Sequence, residues 1–144
     1  MAPTAPSGLD GPASKQAAGE SAAYFMMLNP YIFSTGDLSG FEAMSGQGCI
    51  YCDGIIDAAV QYQAAGWRRV GGQVLVDDVQ VFDYEADEFA VALRLTQEPI
   101  RVVDAAGDPV DDAGRSSATA ELHMVWTGAG WRVDAVDLST LGES

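Results

Sequence analysis

A chain of 144 residues that is 48% hydrophobic has the length and apolar content for one domain with one core. Its 21 acidic residues against 7 lysines and arginines give a formal charge of −14, which excludes nucleic-acid binding by phosphate neutralisation and electrostatic attachment to anionic headgroups. No run approaches the roughly 18 apolar residues that a membrane-spanning helix requires, so the chain is expected to be soluble.

Residues 1–19 set Pro3, Pro6 and Pro12 among Ala, Ser and Gly. That composition buries too little apolar surface to offset its ordering entropy, and the segment is expected to be a flexible tether. It has no charged start, apolar middle and cleavage site of a secretion signal. A Met before such a tether reads as an exported protein whose own signal has been removed.

From Lys15 to Thr35 the pattern is helical. Ser21, Phe25, Leu28 and Ile32 share one face, and Tyr24, Met27 and Tyr31 the adjoining one. Pro30 has no N–H for the Met26 carbonyl and restricts Asn29, which predicts a kink or restart there. Gly36 suits a left-handed helix stop, and Asp37 suits the cap of a short second helix through Phe41 and Met44. After the loop Ser45 to Gly48, residues Cys52, Ile55, Ile56, Ala59, Val60 and Gln63 repeat at helical spacing until Gly66.

Beyond Trp67 the rhythm changes to period two, in Gln73 to Tyr84, in Phe89 to Leu95, and in Leu122, Met124 and Trp126. Val102, Val103 and Val110 flank the turn-rich Asp104 to Pro109. Thr127 to Gly130 joins the last two strands tightly, and Trp131, Val133 and Ala135 complete the pattern. Helices first and antiparallel strands afterwards predict an α+β fold, with three N-terminal helices packed on one strongly curved antiparallel sheet. The single domain is expected over 20–138, with a C-terminal tail over 139–144.

Cys49 and Cys52 form the motif Cys-Ile-Tyr-Cys at the start of the third helix. A helix N-terminus stabilises a thiolate, which allows a redox role. Against it, the pair follows a Gly-rich loop rather than a strand, and Asp53 adds negative charge. A zinc site needs two further ligands, and the chain has one histidine, His123. The favoured reading is a structural disulfide, worth about 2 kcal/mol in loop entropy because the closed loop is short.

His123 alternates onto the strand face opposite Leu122 and Met124, and no nucleophile-and-base pair accompanies it. Tyr24, Leu28, Tyr31, Trp67, His123 and Trp126 are the candidate lining of a pocket between the first helix and the sheet, although aromatic residues of this kind are more often ordinary core. Asp104, Asp108, Asp111 and Asp112 do not match a hand-type calcium loop and read as a solvated hairpin tip. No catalytic residue, metal site or cofactor is assigned.

The series Tyr24-Phe25, Thr35-Gly36-Asp37, Cys49 and Cys52, Gly66-Trp67, Gly71-Gly72, Pro99 with Val102-Val103-Asp104, and Gly130-Trp131-Arg132-Val133 resembles an uncharacterised family of actinobacterial lipoproteins. That family is similar to the wider nuclear-transport-factor-2-like superfamily of cystatin-like α+β folds, in which helices close a cone over a bent antiparallel sheet. The superfamily contains isomerases, cyclases and epoxide hydrolases alongside non-catalytic domains, so fold does not decide activity. Pro30 departs from the long first helix that the resemblance implies. The resemblance also implies an extracytoplasmic protein held to the membrane only by an N-terminal lipid anchor outside this chain.

Three functions follow as expectations. The first is a non-catalytic cell-envelope domain, monomer or homodimer, that binds a small apolar ligand or an envelope protein. The second is a cone-pocket isomerase or cyclase in which His123 or Tyr24 handles a proton. The third is thiol-disulfide exchange at Cys49 and Cys52.

Overall fold

Helix boundaries follow local capping chemistry. In the computed structural model, which describes residues 2–143, α1 (Lys15–Thr35) begins where the Ser14 hydroxyl accepts a hydrogen bond from the Ala17 N–H at 3.0 Å. It ends at Gly36 in the left-handed region. α2 (Ser39–Met44) follows at once, with the Asp37 carboxylate accepting from the Ser39 N–H at 3.1 Å and the Ser39 hydroxyl at 2.7 Å. α3 (Ile50–Ala65) starts at Cys49 and stops at Gly66, again left-handed.

The restart expected at Asn29 does not occur, because α1 runs through Pro30 as one helix. Proline removes one backbone hydrogen bond, and Phe25, Met26, Leu28, Ile32 and Phe33, buried on both sides of it, hold the helix together. In α3, Cys52 and Ala59 are buried, whereas Val60, expected on the core face, turns outward.

Seven strands follow: β1 (Arg68–Gly71), β2 (Val74–Asp83), β3 (Glu88–Gln97), β4 (Ile100–Val103), β5 (Pro109–Ala113), β6 (Ser116–Trp126) and β7 (Trp131–Glu143). All strand pairs are antiparallel, in a four-stranded sheet ordered β2-β3-β6-β7 and a three-stranded sheet ordered β1-β4-β5. The two ladders are one ribbon interrupted at a single place. There the Gly72 N–H donates to the Pro99 carbonyl at 3.0 Å and the Glu98 N–H to the Gln73 carbonyl at 2.9 Å. Gly71 and Gly72 both have positive φ, and a Cβ on Gly71 would lie 2.6 Å from the Pro99 carbonyl oxygen. Only glycine turns the ribbon here.

Alternation sorts the large sheet into two faces. Phe89, Val91, Leu93 and Leu95 of β3 and Ala120, Leu122 and Met124 of β6 are buried on the inner face. The helices cover that face, with Phe25 of α1 stacked on Phe41 of α2 at 4.4 Å between ring centroids. The expected α+β architecture of three helices over a curved antiparallel sheet is the observed one.

The boundaries of the domain differ from expectation at both ends. Residues 15–19, placed in the tether, form the first turn of α1, with Ala17 and Ala18 buried. Upstream, Ser7–Asp10 is a 3-10 turn whose Gly8 carbonyl accepts a hydrogen bond from the Trp131 indole N–H at 2.9 Å, while Leu9 and Ala13 pack against the core. Gly8 permits this approach, since a Cβ there would lie 2.7 Å from the Cα of Ala17. The burial comes from tryptophans more than a hundred residues away, which composition does not register. At the other end, the tail expected over 139–144 continues β7 as far as Glu143, paired with β6, and Ser144 lies outside the described residues.

The Phe25 and Phe41 stack yields a quantitative expectation. Phe25→Ala and Phe41→Ala should each cost about 3–5 kcal/mol in urea denaturation. The double variant should fall short of their sum by about 1 kcal/mol, and strict additivity would show that the rings are energetically independent.

Candidate functional site

Side chains such as Phe25, Phe41, Leu93, Leu122 and Met124 pack the depth of the cone, and a cleft lies near its mouth. This cleft of about 120 Å³ lies between Met26 and Asn29 of α1, Tyr51 of α3, Val74 of β2, Leu95 and Gln97 of β3, Ser116 and Ala118 of β6, and Leu138 of β7. Its floor is apolar, and Asn29, Tyr51, Gln97 and Ser116 supply polar groups. Burial pushes the Tyr51 hydroxyl above the ordinary tyrosine value, while Asn29 and the positive charge of Arg69 pull the other way. Among the described residues the lining contains no carboxylate, histidine or thiol. The cleft therefore combines an apolar floor with neutral hydrogen-bonding groups.

Arg69 stands behind this rim. Its guanidinium lies 4.0 Å over the Phe33 ring centroid, donates through Nε to the Tyr62 hydroxyl at 3.3 Å, and donates through Nη1 to Asn29 Oδ1 at 3.3 Å. Asn29 is thereby held between the arginine and the cleft.

The six residues expected to line one pocket are not brought together. Leu28 is buried in the core and, with half-buried Tyr24, faces Gly40 of α2. The Tyr31 hydroxyl donates to Asp37 at 2.8 Å, on an outer groove beside β1. Trp67 lies edge-on to Tyr62 at the end of α3. Trp126 packs on Trp131 and against Gly11 of the N-terminal segment. His123 sits on the sheet face away from the helices, where its Nε2 is 2.7 Å from Glu88 Oε1 and its ring is edge-to-face with Tyr84. Period-two alternation already put His123 opposite Leu122 and Met124, so membership of an inner pocket contradicted its own strand position.

Cys49 and Cys52 are joined by a disulfide, with Cα atoms 5.2 Å apart, and both are buried. The preceding loop is fixed to β7 by the Gly46 N–H donating to the Val133 carbonyl at 2.8 Å. The sulfur link therefore ties that anchored loop to the start of α3, and burial closes it to an attacking thiolate.

Asn29, Tyr51, Gln97, Ser116 and Arg69 were not singled out from sequence. The one available signal was the Arg68-Arg69 pair, the only adjacent basic residues in a chain of charge −14.

Tyr51 gives the site a measurable pH dependence. Its folded pKa is raised, so its contribution to stability is complete below the ordinary value of 10.0 and is lost as pH rises through the folded value. The stability difference between wild type and Tyr51→Phe, followed by thermal denaturation across the alkaline range, should therefore shift against the wild type at high pH. A difference independent of pH would show that burial does not hold this phenol neutral.

Solved structures share this architecture at low sequence identity. The intermembrane space region of the chloroplast protein ARC6 matches with a TM-score of 0.62 and 14% identity, over 92% of this chain and 100% of that one. A protein of Novosphingobium aromaticivorans assigned as the beta subunit of an aromatic-ring-hydroxylating dioxygenase gives 0.59 and 9%, over 90% and 92% of the two chains. A nuclear transport factor 2-like superfamily protein of Salmonella enterica serovar Typhimurium gives 0.55 and 9%, over 91% and 96%. At these identities the likeness shows the fold alone, a nuclear-transport-factor-2-like cone on which enzyme-related and other proteins are built. No curated protein matches the chain. The model of DUF6318, a family of unknown function, matches residues 2–137, from the N-terminal segment that packs on the tryptophans into the last core strand. The chain therefore belongs to the family DUF6318.

Proposed function

We propose that this chain is a non-catalytic, lipoprotein-type domain of the actinobacterial cell envelope that binds a small apolar ligand at the mouth of its cone. The observation that carries this reading is the packed interior. Phe25, Phe41, Leu93, Leu122 and Met124 occupy the volume in which an enclosed active site would have to sit, and they are all but inaccessible to solvent. Beside that packed volume lies the cleft of about 120 Å³, with an apolar floor and an amide-and-hydroxyl rim. Of the two groups considered for proton transfer, His123 lies on the sheet face away from the helices, bonded to Glu88, and the Tyr24 hydroxyl lies beside Gly40 of α2. A buried disulfide suits an oxidising compartment outside the cytoplasm. Among the described residues no helix is long and apolar enough to cross a membrane, which is compatible with attachment through an N-terminal lipid.

Titration of isotope-labelled protein with short-chain alcohols should move the amide resonances of Met26, Tyr51, Leu95 and Ala118. Ala118→Leu should abolish those shifts while leaving the protein folded. Absence of any response at the cleft to every apolar probe would remove the ligand-binding reading.

The sulfur link should behave as structure. Replacing Cys49 and Cys52 by serine should lower Tm by roughly 5–10 °C, the equivalent of about 2 kcal/mol for a domain of this size. An unchanged Tm would reopen a thiol-exchange role.

A further inference from the structure

The groove beside the cone mouth carries a charge pattern opposite to that of the whole protein. It lies between α1 and β1, encloses about 440 Å³, and is lined by Met27, Pro30, Tyr31, Arg68, Arg69 and Val70 among others. That volume falls within the roughly 300–1,000 Å³ typical of small-molecule sites. In a chain with three acidic residues for every basic one, the groove lining contains two arginines and, among the described residues, no carboxylate. The nearest acid bonded to the lining, Asp37, accepts from Tyr31 and Ser39 and is turned toward the start of α2.

Lys15, Arg115 and Arg132 pair with Asp83, Glu98 and Asp134, whereas Arg68, Arg69, Arg94 and Arg101 have no carboxylate partner among the described residues. Of these four, Arg68 and Arg69 are adjacent in the chain and share this groove. Arg69 is held flat on Phe33 and uses one N–H on Tyr62 and one on Asn29. Three of its five N–H donors therefore remain unused. A fixed, half-buried guanidinium with free donors has lost hydration without gaining an ionic partner, a deficit that a planar carboxylate corrects. Met27 and Val70 are 37% and 46% exposed beside it and offer apolar surface. The overall charge of −14 favours a small monoanion over a polyanion, because long-range repulsion grows with ligand charge.

We propose that the groove between α1 and β1 binds a small organic carboxylate with an apolar body, its head on Arg68 and Arg69 and its body against Met27, Pro30 and Val70. This assignment rests on the reading of the domain as a ligand-binding one and names the ligand class; the groove and the cone mouth share Val74.

The test is an NMR titration of the full chain with octanoate, and with octanol and octylamine as probes of equal chain length. Octanoate should move the resonances of residues 27–34 and 68–71 and bind about ten-fold more tightly than octanol, the difference expected of one charge-assisted contact. Arg68→Ala, which removes an exposed side chain with no hydrogen bond of its own among the described residues, should weaken octanoate about ten-fold. Arg115→Ala, which changes net charge equally at a distant ion pair, should not. Equal affinities for octanoate and octanol, or equal effects of the two substitutions, would overturn the carboxylate assignment. Shifts confined to Tyr51, Leu95 and Ala118 would overturn the groove while leaving the cone-mouth reading intact, and silence from all three probes would overturn both.

Discussion

The structure depends on one constraint, that the apolar face of α1 must be covered by the inner face of the four-stranded sheet. Phe25, Leu28 and Ile32 supply that face from the helix, and Val91, Leu93, Leu122 and Met124 meet it from the strands. Hydrophobic burial at this interface keeps α1 continuous through Pro30, even though the proline removes a backbone hydrogen bond. α2 and α3 then close the remaining sides, and the disulfide ties the start of α3 to a loop already bonded to β7.

The same packing fills the depth of the cone with aromatic and branched side chains, and the cleft at its mouth and the α1–β1 groove lie outside that packed region. Arg69 links the two openings, because it reaches Asn29 at the cone mouth while its own strand borders the α1–β1 groove. Arg68 and Arg69, the only adjacent basic residues in this acidic sequence, lie together on that groove. His123, by contrast, is satisfied by Glu88 on the opposite side of the sheet.

The N-terminal segment has a structural role that its composition conceals. Proline and glycine usually signal a linker, yet Gly8 and Gly11 here let the backbone approach α1 and Trp126, and the Trp131 indole bonds the Gly8 carbonyl.

Local chemistry made most of the fold legible in the sequence. Gly36 and Gly66 mark helix ends through their conformational freedom, and alternation put His123 on the strand face opposite Leu122 and Met124. The Cys49–Cys52 link was legible because its partners are three residues apart. The candidate site was hardly legible. Asn29, Tyr51, Gln97 and Ser116 are ordinary residues scattered over 87 positions, and they converge only because α1 and α3 cross the end of the sheet. The sequence by itself determined which segments coil, extend or turn, since those choices are governed by neighbours within a few residues. Tertiary structure alone decided that the cone is filled, that residues 7–19 belong to the body, and that Arg69 meets Phe33 and Asn29. Each of these depends on contacts between segments far apart in the chain, whose burial and distances no local pattern encodes.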